Sequence, residues 1–156
     1  MIIVFLPAEE LFMEHAKALQ VLSRQHKEDR LKCREFLKDI QQQRDKSGIR
    51  QRIVQFWKNE LQKHVDAEEA ILFPFLQKHH FPFNFVNILK REHDTIRLLA
   101  ERLHRQDEDY YLYNAFVKLV DQHSHFEDEI IFRKMEEVIP PQELSQLNVS
   151  MAAVAR

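Results

Sequence analysis

Two ten-residue stretches set a histidine four residues before a glutamate and follow it with an apolar triplet ending in phenylalanine: HVDAEEAILF at residues 64–73 and HSHFEDEIIF at residues 123–132. On an α-helix, positions i and i+4 share a face about 6 Å apart along the axis, so His64 with Glu68, and His123 with Glu127, can each address one point. Both pairs fall on stripes whose other members are apolar. A lone histidine on such a stripe is usually a core side chain with one hydrogen-bond partner, but a buried glutamate without a partner is strongly disfavoured. Two inward glutamates among several inward imidazoles therefore require positive charge between them, and a metal ion supplies it.

Composition limits what could position such a site. The 156 residues include one glycine, Gly48, and five prolines, and 44% of them are hydrophobic. That is the punctuation of long helices with short connections, with apolar content enough for one core. Apolar residues at spacings of three and four predict four helices, over about 8–40, 49–78, 85–105 and 110–138. The first stripe runs Leu11, His15, Leu19, Leu22, His26, Cys33, Leu37, Ile40, and the second Ile53, Trp57, Leu61, His64, Glu68, Ile71, Phe75. The third shows Val86, Leu89, His93, Ile96, Ala100, Leu103, and the fourth Phe116, Val120, His123, Glu127, Ile130. QQQRDKSG, HHFPFN and QDEDYY separate them, Pro140 and Pro141 end the fourth, and QELSQL can add a short tail helix. The expected fold is all-α, a single domain of residues 1–156 in which an up-down-up-down antiparallel four-helix bundle spans about 8–138 and a tail occupies 139–156.

Ligands of one centre must lie at one level of a bundle, so the residue counts from each ligand to its connection should match. From His93 to the connection after the third helix is about 13 residues, and from there to His123 about 13 more; His26 to Ile40 is 14 and Ile49 to His64 is 15. His15 would lie about 11 residues, roughly 16 Å, from His26 along the helix. Helix rise thus selects His26 and makes His15 a second-layer or end-of-bundle residue. Glu14-His15 nevertheless echoes Glu92-His93, which leaves open that His15 assists or replaces His26. His125 and Glu129 repeat the i, i+4 spacing, but on a stripe through Lys118 and Asp121 or Gln122, a solvent face. His79 and His80 fall in a connection that faces water, and His104 at a helix C-terminus, where positive charge is welcome. The candidate metal ligands are therefore His26, His64, Glu68, His93, His123 and Glu127.

Other function classes lack support. One glycine cannot build a phosphate-cradling or dinucleotide-binding loop. Lys plus Arg (23) nearly balances Asp plus Glu (25), with signs alternating along the chain, so no basic stripe points to nucleic acid. Cys33 cannot form an intramolecular disulfide, MIIVFLP is too short and uncharged for a signal segment, and no run has the apolar length of a membrane span. These features predict a soluble cytoplasmic protein without a membrane partner. Phe81, Phe83 and Phe85 predict a cap on the bundle end in preference to a partner patch.

The combination of LSRQH around His26, HVDAEEAILFP around His64, EHDTI around His93 and HSHFEDEIIF around His123 resembles the hemerythrin-like HHE cation-binding domains, over nearly the whole chain from about Ala8 to Leu147. The resemblance implies a four-helix bundle holding a non-haem di-iron centre, with His26, His64, Glu68, His93, His123 and Glu127 as ligands and the two glutamates bridging the irons. Two departures bear on function. Oxygen-carrying hemerythrins have a further histidine one turn after the third-helix ligand, where this chain has Arg97, and an aspartate five residues after the last histidine, where this chain has Glu127 at four. A four-histidine, two-glutamate set is more similar to the branch linked to oxygen or nitric oxide response and to repair of iron centres. Ferritin-like oxidases, the nearest competing di-iron fold, need Glu-x-x-His twice, and the chain has that spacing once, from Glu101 to His104.

Imidazole with carboxylate suits iron, manganese or zinc, and affinity alone does not select among them. With two bridging carboxylates, six ligands give each metal about four donors, which leaves room for an oxo or hydroxo bridge and a small diatomic ligand. The expected function is a di-iron protein that binds or senses O2, NO or peroxide, or handles iron, behind an apolar wall of Phe, Ile, Leu and Trp57. A second expectation, an enzyme consuming peroxide or NO, would draw on Tyr110, Tyr111, Tyr113 or Cys33 as a redox neighbour, although tyrosines at a helix start are more often boundary packing and a lone cysteine on an apolar stripe more often inert. A third, a metal-free interaction bundle, pairs the histidines with the glutamates and predicts that removing metal leaves the melting temperature unchanged, and a zinc-containing structural bundle lies between these readings.

Overall fold

A computed structural model describes residues 19–105 and 109–154. His15 and the expected start of the first helix lie outside the described residues. Among the described residues five helices follow one another and no strand occurs, an all-α fold. Helix α1 is Gln20–Gln41. Helix α2 spans 46–78 as Lys46–Phe56, a π-helical turn Trp57–Leu61, Gln62–Ala67, a second π-helical turn Glu68–Leu72, and Phe73–Lys78. Helix α3 is Phe83–Arg105, and α4 spans 110–138 as Tyr110–Phe126, a π-helical turn Glu127–Ile131, and Phe132–Val138. Helix α5 is Pro141–Val154, a 14-residue element where the sequence suggested only a short tail.

The chain turns without using its glycine. At the ends of α1 and α2, Gln43 (φ 48°) and His80 (φ 54°) take the left-handed conformation. Each closes a Schellman motif: Arg44 N–H donates to Asp39 O and Gln43 N–H to Ile40 O, and Phe81 N–H donates to Leu76 O and His80 N–H to Gln77 O. Phe81 and Leu76 are buried in one cluster, the apolar contact that accompanies such a cap. Of the three phenylalanines expected to close this end, Phe81 and Phe85 do so, with ring centroids 5.8 Å apart, while Phe83 is exposed. Asp109 caps α4 by accepting from Tyr111 N–H.

A π turn inserts one residue into the helical repeat and thereby moves every later side chain one position around the axis. The buried face slips accordingly. Before the first π turn the inward residue is Phe56, with Trp57 half-buried, where an unbroken repeat predicts Trp57. After the second it is Leu72 and Leu76 in place of the expected Ile71 and Phe75, and after the third Ile131 in place of Ile130, which is 45% exposed. On α1, which has no π turn, Phe36 is buried and Leu37 half-buried.

Helix α1 packs along α4, α3 packs along α4, and α2 contacts α1 and α3. Buried apolar residues form two clusters. One gathers Leu19, Leu22, Leu72, Leu76, Leu89, Ile131 and Met135, and receives Leu144, Leu147 and Met151 from α5. The other gathers Cys33, Ile40, Ile49, Ile53, Leu61, Ile96, Leu103 and Phe116. His26, His64, Glu68, His93, His123 and Glu127 fall between them along α1 to α4. Among the described residues, no helix is long and apolar enough to cross a membrane.

Candidate metal centre

Four helices bring six polar side chains into the layer between the apolar clusters. His26 comes from α1, His64 and Glu68 from α2, His93 from α3, and His123 and Glu127 from α4; all six are buried, His64 being the most accessible at 7%. Glu68 and Glu127 each stand at the first residue of a π turn. That local geometry explains the repeated motif. Four α-helical residues carry each histidine to its glutamate, and the π turn then places the residue five further on, Phe73 or Phe132, on the same face. Phe73 stacks on His93 with centroids 5.1 Å apart, and Phe132 stacks on His26 at 5.3 Å. The wall of the site is thus Phe73 and Phe132. Trp57, expected there, packs instead against the second apolar cluster, because the first π turn intervenes between it and His64.

The donors fall into two groups of four: His26, His64, Glu68 and Glu127, and Glu68, His93, His123 and Glu127. Within each group one ligand atom per residue lies within 4.8 Å of the others, and both glutamates belong to both groups. The Nε2 atoms of His26 and His64 are 3.1 Å apart, as are those of His93 and His123. Glu68 Oε1 lies 2.5 Å from His64 Nε2 and 3.5 Å from His26 Nε2, while its Oε2 lies 2.9 Å from His93 Nε2 and 3.6 Å from His123 Nε2. Glu127 does the same in reverse, its Oε2 3.2 Å from His26 Nε2 and its Oε1 against His123 Nε2. Each carboxylate turns one oxygen to either histidine pair.

The outer nitrogen of every ring is held. His26 Nδ1 is 2.8 Å from Asp128 Oδ1, His64 Nδ1 2.8 Å from Gln25 Oε1, His93 Nδ1 3.0 Å from Glu69 Oε1, and His123 Nδ1 2.6 Å from Glu92 Oε2. Since each partner oxygen accepts, Nδ1 is the nitrogen that holds a proton, and the inward Nε2 is left to carry either a second proton or, once that is displaced, a metal. Arg97, which occupies the place of the additional histidine of oxygen carriers, points outward and grips both oxygens of Glu69 at 2.6 and 3.0 Å. Periodicity does not single out these four outer partners, although each is the immediate neighbour of a donor in the chain: Gln25 before His26, Glu92 before His93, Glu69 after Glu68, Asp128 after Glu127.

Electrostatics tests whether the layer fits a cation. Glu68 Oε1 and both oxygens of Glu127 are buried and accept no hydrogen bond, although ring nitrogens of His64, His26 and His123 lie close to them. Burial works against the charge of Glu68, but His64 and the surrounding imidazoles hold its carboxyl well below the ordinary range. For Glu127, burial and the Glu68 charge are likewise overcome by His123 and His26. Burial depresses His26, His93 and His123, yet the carboxylates raise all three, through Glu127 for His26 and His123 and through Glu68 for His93. Without a metal the layer needs protons as counter-charge; buried carboxylate oxygens lacking donors are what a cation would satisfy. The residues present fit a metal.

Other residues singled out above fall elsewhere. His125, Glu129, His80 and His104 are exposed, whereas His79 is half-buried against Phe75, with centroids 4.5 Å apart, and not turned fully to water. Cys33 and Tyr113 are buried in the second cluster, and burial pushes the Cys33 thiol up, which leaves it without thiolate character. Tyr111 is exposed and Tyr110 donates its hydroxyl to Arg44 O. One further buried carboxylate, Asp29, lies a turn beyond His26; burial raises its carboxyl to about 6, against the charges of His64 and His26. It borders a cavity of about 190 Å3 that reaches His64.

Comparison of the chain with curated proteins, and with solved structures, gave no match. Comparison with protein families matched the hemerythrin HHE cation binding domain over residues 6–135, well beyond half of the chain. With that match, and with two four-donor groups of histidine and glutamate in an all-helical fold, the chain belongs to the hemerythrin HHE cation-binding domain family.

Proposed function

We propose that the chain is a single hemerythrin-like domain, an up-down-up-down antiparallel bundle closed by α5, in which His26, His64, Glu68, His93, His123 and Glu127 hold two metal ions. The observation that carries this reading is the sharing of both glutamates by the two four-donor groups. The bundle topology draws support from the apolar clusters, since Leu22, before His26 on α1, meets Leu72, after His64 on α2, in one of them. Iron is the first choice, and manganese or zinc the alternatives, because imidazole with carboxylate suits all three.

A pair of redox-active ions would supply Lewis-acid and one-electron chemistry toward a small ligand. The chain's own part is to fix four inward lone pairs through Gln25, Glu69, Glu92 and Asp128, to keep the layer dry beneath Phe73 and Phe132, and to exclude bulky polar substrates. O2, NO and peroxide satisfy that limit, and the function we infer is to bind or sense one of them, or to handle iron, in the cytoplasm. Protein loaded anaerobically with ferrous iron and then exposed to each gas or to peroxide should change its visible spectrum in proportion to the metal for at least one. A fully loaded protein that responds to none would sink the small-ligand reading, and sustained turnover of peroxide or NO would make the protein an enzyme instead.

A further inference from the structure

Asp29 has no role in the donor layer just described, yet it is only 6% exposed and makes no hydrogen bond or ion pair with another described residue. An ionised carboxylate so placed is costly unless a cation visits it. Its surroundings are suited to one. The cavity it borders lies between α1 and α2, with Met151 of α5 also on its wall, and is lined by Glu28, Glu60, Asn59, Lys63 and the buried His64. Glu60 pairs with Lys32 at the rim, so three carboxylates face two ammonium groups. Three residues after His93, at the place that Asp29 holds after His26, the chain has the apolar Ile96, buried in the second cluster. Packing alone is therefore satisfied by an apolar side chain in that position.

Resting on the reading that the six donors hold metal, we propose that this cavity is the entry path for divalent metal ions, and that Asp29 takes a hydrated cation from the rim and passes it to His64. Carboxylate and amide oxygens hold first-row divalent ions more loosely than a mixed imidazole and carboxylate set does, so affinity increases inward and the ion does not lodge on the way. His64, the most accessible of the six donors, is the first of them it meets.

Cobalt(II), which absorbs in the visible when bound, reports uptake rate and final metal count separately when mixed anaerobically with metal-free protein. Asp29→Asn keeps the side-chain shape and removes its charge; it should take up cobalt about tenfold more slowly and still reach the wild-type count. Asn59→Trp, which crowds the mouth without changing charge, should slow uptake as well. Glu129→Gln, on an exposed face of α4, should load at the wild-type rate. Wild-type kinetics for Asp29→Asn would overturn the proposal, and so would equal slowing by Glu129→Gln. A lower final count for Asp29→Asn would overturn it too, by making Asp29 a ligand. Wild-type protein that binds no cobalt would defeat the metal reading itself, a failure distinct from an altered rate.

Discussion

The half of the donor layer built on His26 and His64 and the half built on His93 and His123 are served by nearly the same neighbours. His26 stacks on Phe132 and is held by Asp128; His93 stacks on Phe73 and is held by Glu69. Each is followed four residues later by an arginine that reaches the same outer carboxylate, Arg30 at 3.5 Å from Asp128 and Arg97 at 2.6 Å from Glu69. The residue before each, Gln25 or Glu92, holds the histidine of the neighbouring helix. Against this shared plan two substitutions stand out. An amide, Gln25, backs His64 where a carboxylate, Glu92, backs His123, and a carboxylate, Asp29, stands where the other half has Ile96. A carboxylate behind a ligating imidazole makes it more basic and a better donor. The halves thus share geometry but differ in donor strength and in access, with the weaker one facing the cavity.

The largest effect should come from a residue that both halves use. Glu68→Ala removes a donor from each group, and we expect metal content to fall from two ions per chain to near none, whereas His26→Ala or His93→Ala should leave one half able to hold an ion. Elemental analysis decides this, and a Glu68→Ala protein that keeps both ions would mean that the halves are not joined through it. Leu103, fully buried in the second cluster, belongs to neither half. Leu103→Ala should cost about 2–5 kcal/mol of folding stability by denaturant titration, with both metal affinities unaltered once folded.

A smaller effect should separate the halves from each other. In a titration with cobalt(II), the His93 and His123 half should fill first, and Glu92→Gln should weaken that step by about 10–100-fold. Gln25→Glu should strengthen the other step and narrow the gap from the opposite side. Equal affinities in the wild type, unmoved by either change, would show that the outer partners merely orient the rings.

The gentlest probe is pH, applied to the metal-free protein. His26, His93 and His123 are raised above their usual 6.5, so their stabilisation is complete below that value and is lost as pH climbs through the raised values. Glu68 and Glu127 are lowered from their usual 4.5, so theirs is complete above 4.5 and is lost as pH falls through the lowered values. The metal-free melting temperature should therefore be highest toward the acid end of the window between about pH 4.5 and 6.5, since the raised carboxyl of Asp29 costs stability as pH climbs to about 6, and should decline further above pH 7. Metal displaces those protons, so its stabilising effect should grow from about pH 6 to 8; a stabilisation that shrinks over that range would contradict proton–metal competition.

That the six donor side chains gather in one layer was legible because they violate the stripes they sit on, and because counting helix rise from His93 and His26 to their connections sets a common depth. The exclusion of His125 and Glu129 followed from the polar stripe through Lys118, and both are exposed. What periodicity could not show is the slip at each π turn. A repeat of 3.6 residues carried past Glu68 and Glu127 selects Ile71 and Ile130, whereas the structure buries Leu72 and Ile131. The clue was in the motif itself: Phe73 and Phe132 stand five residues after their glutamates, a spacing that an α-helix does not keep on one face and a π turn does. The outer partners were hidden for a related reason, since Gln25, Glu69, Glu92 and Asp128 look like ordinary polar residues at the edge of each stripe. Helix α5 was underestimated because its apolar residues, Leu144, Leu147 and Met151, are spaced over an interval longer than QELSQL.

A donor layer that holds two ions through shared glutamates fixes the metal content per chain, which elemental analysis of protein produced with ample iron and purified without chelators will read. We expect close to two ions per chain, together with a melting temperature that falls when they are removed. A single ion would contradict the shared-glutamate arrangement, and none, after anaerobic reconstitution, would contradict the metal centre altogether.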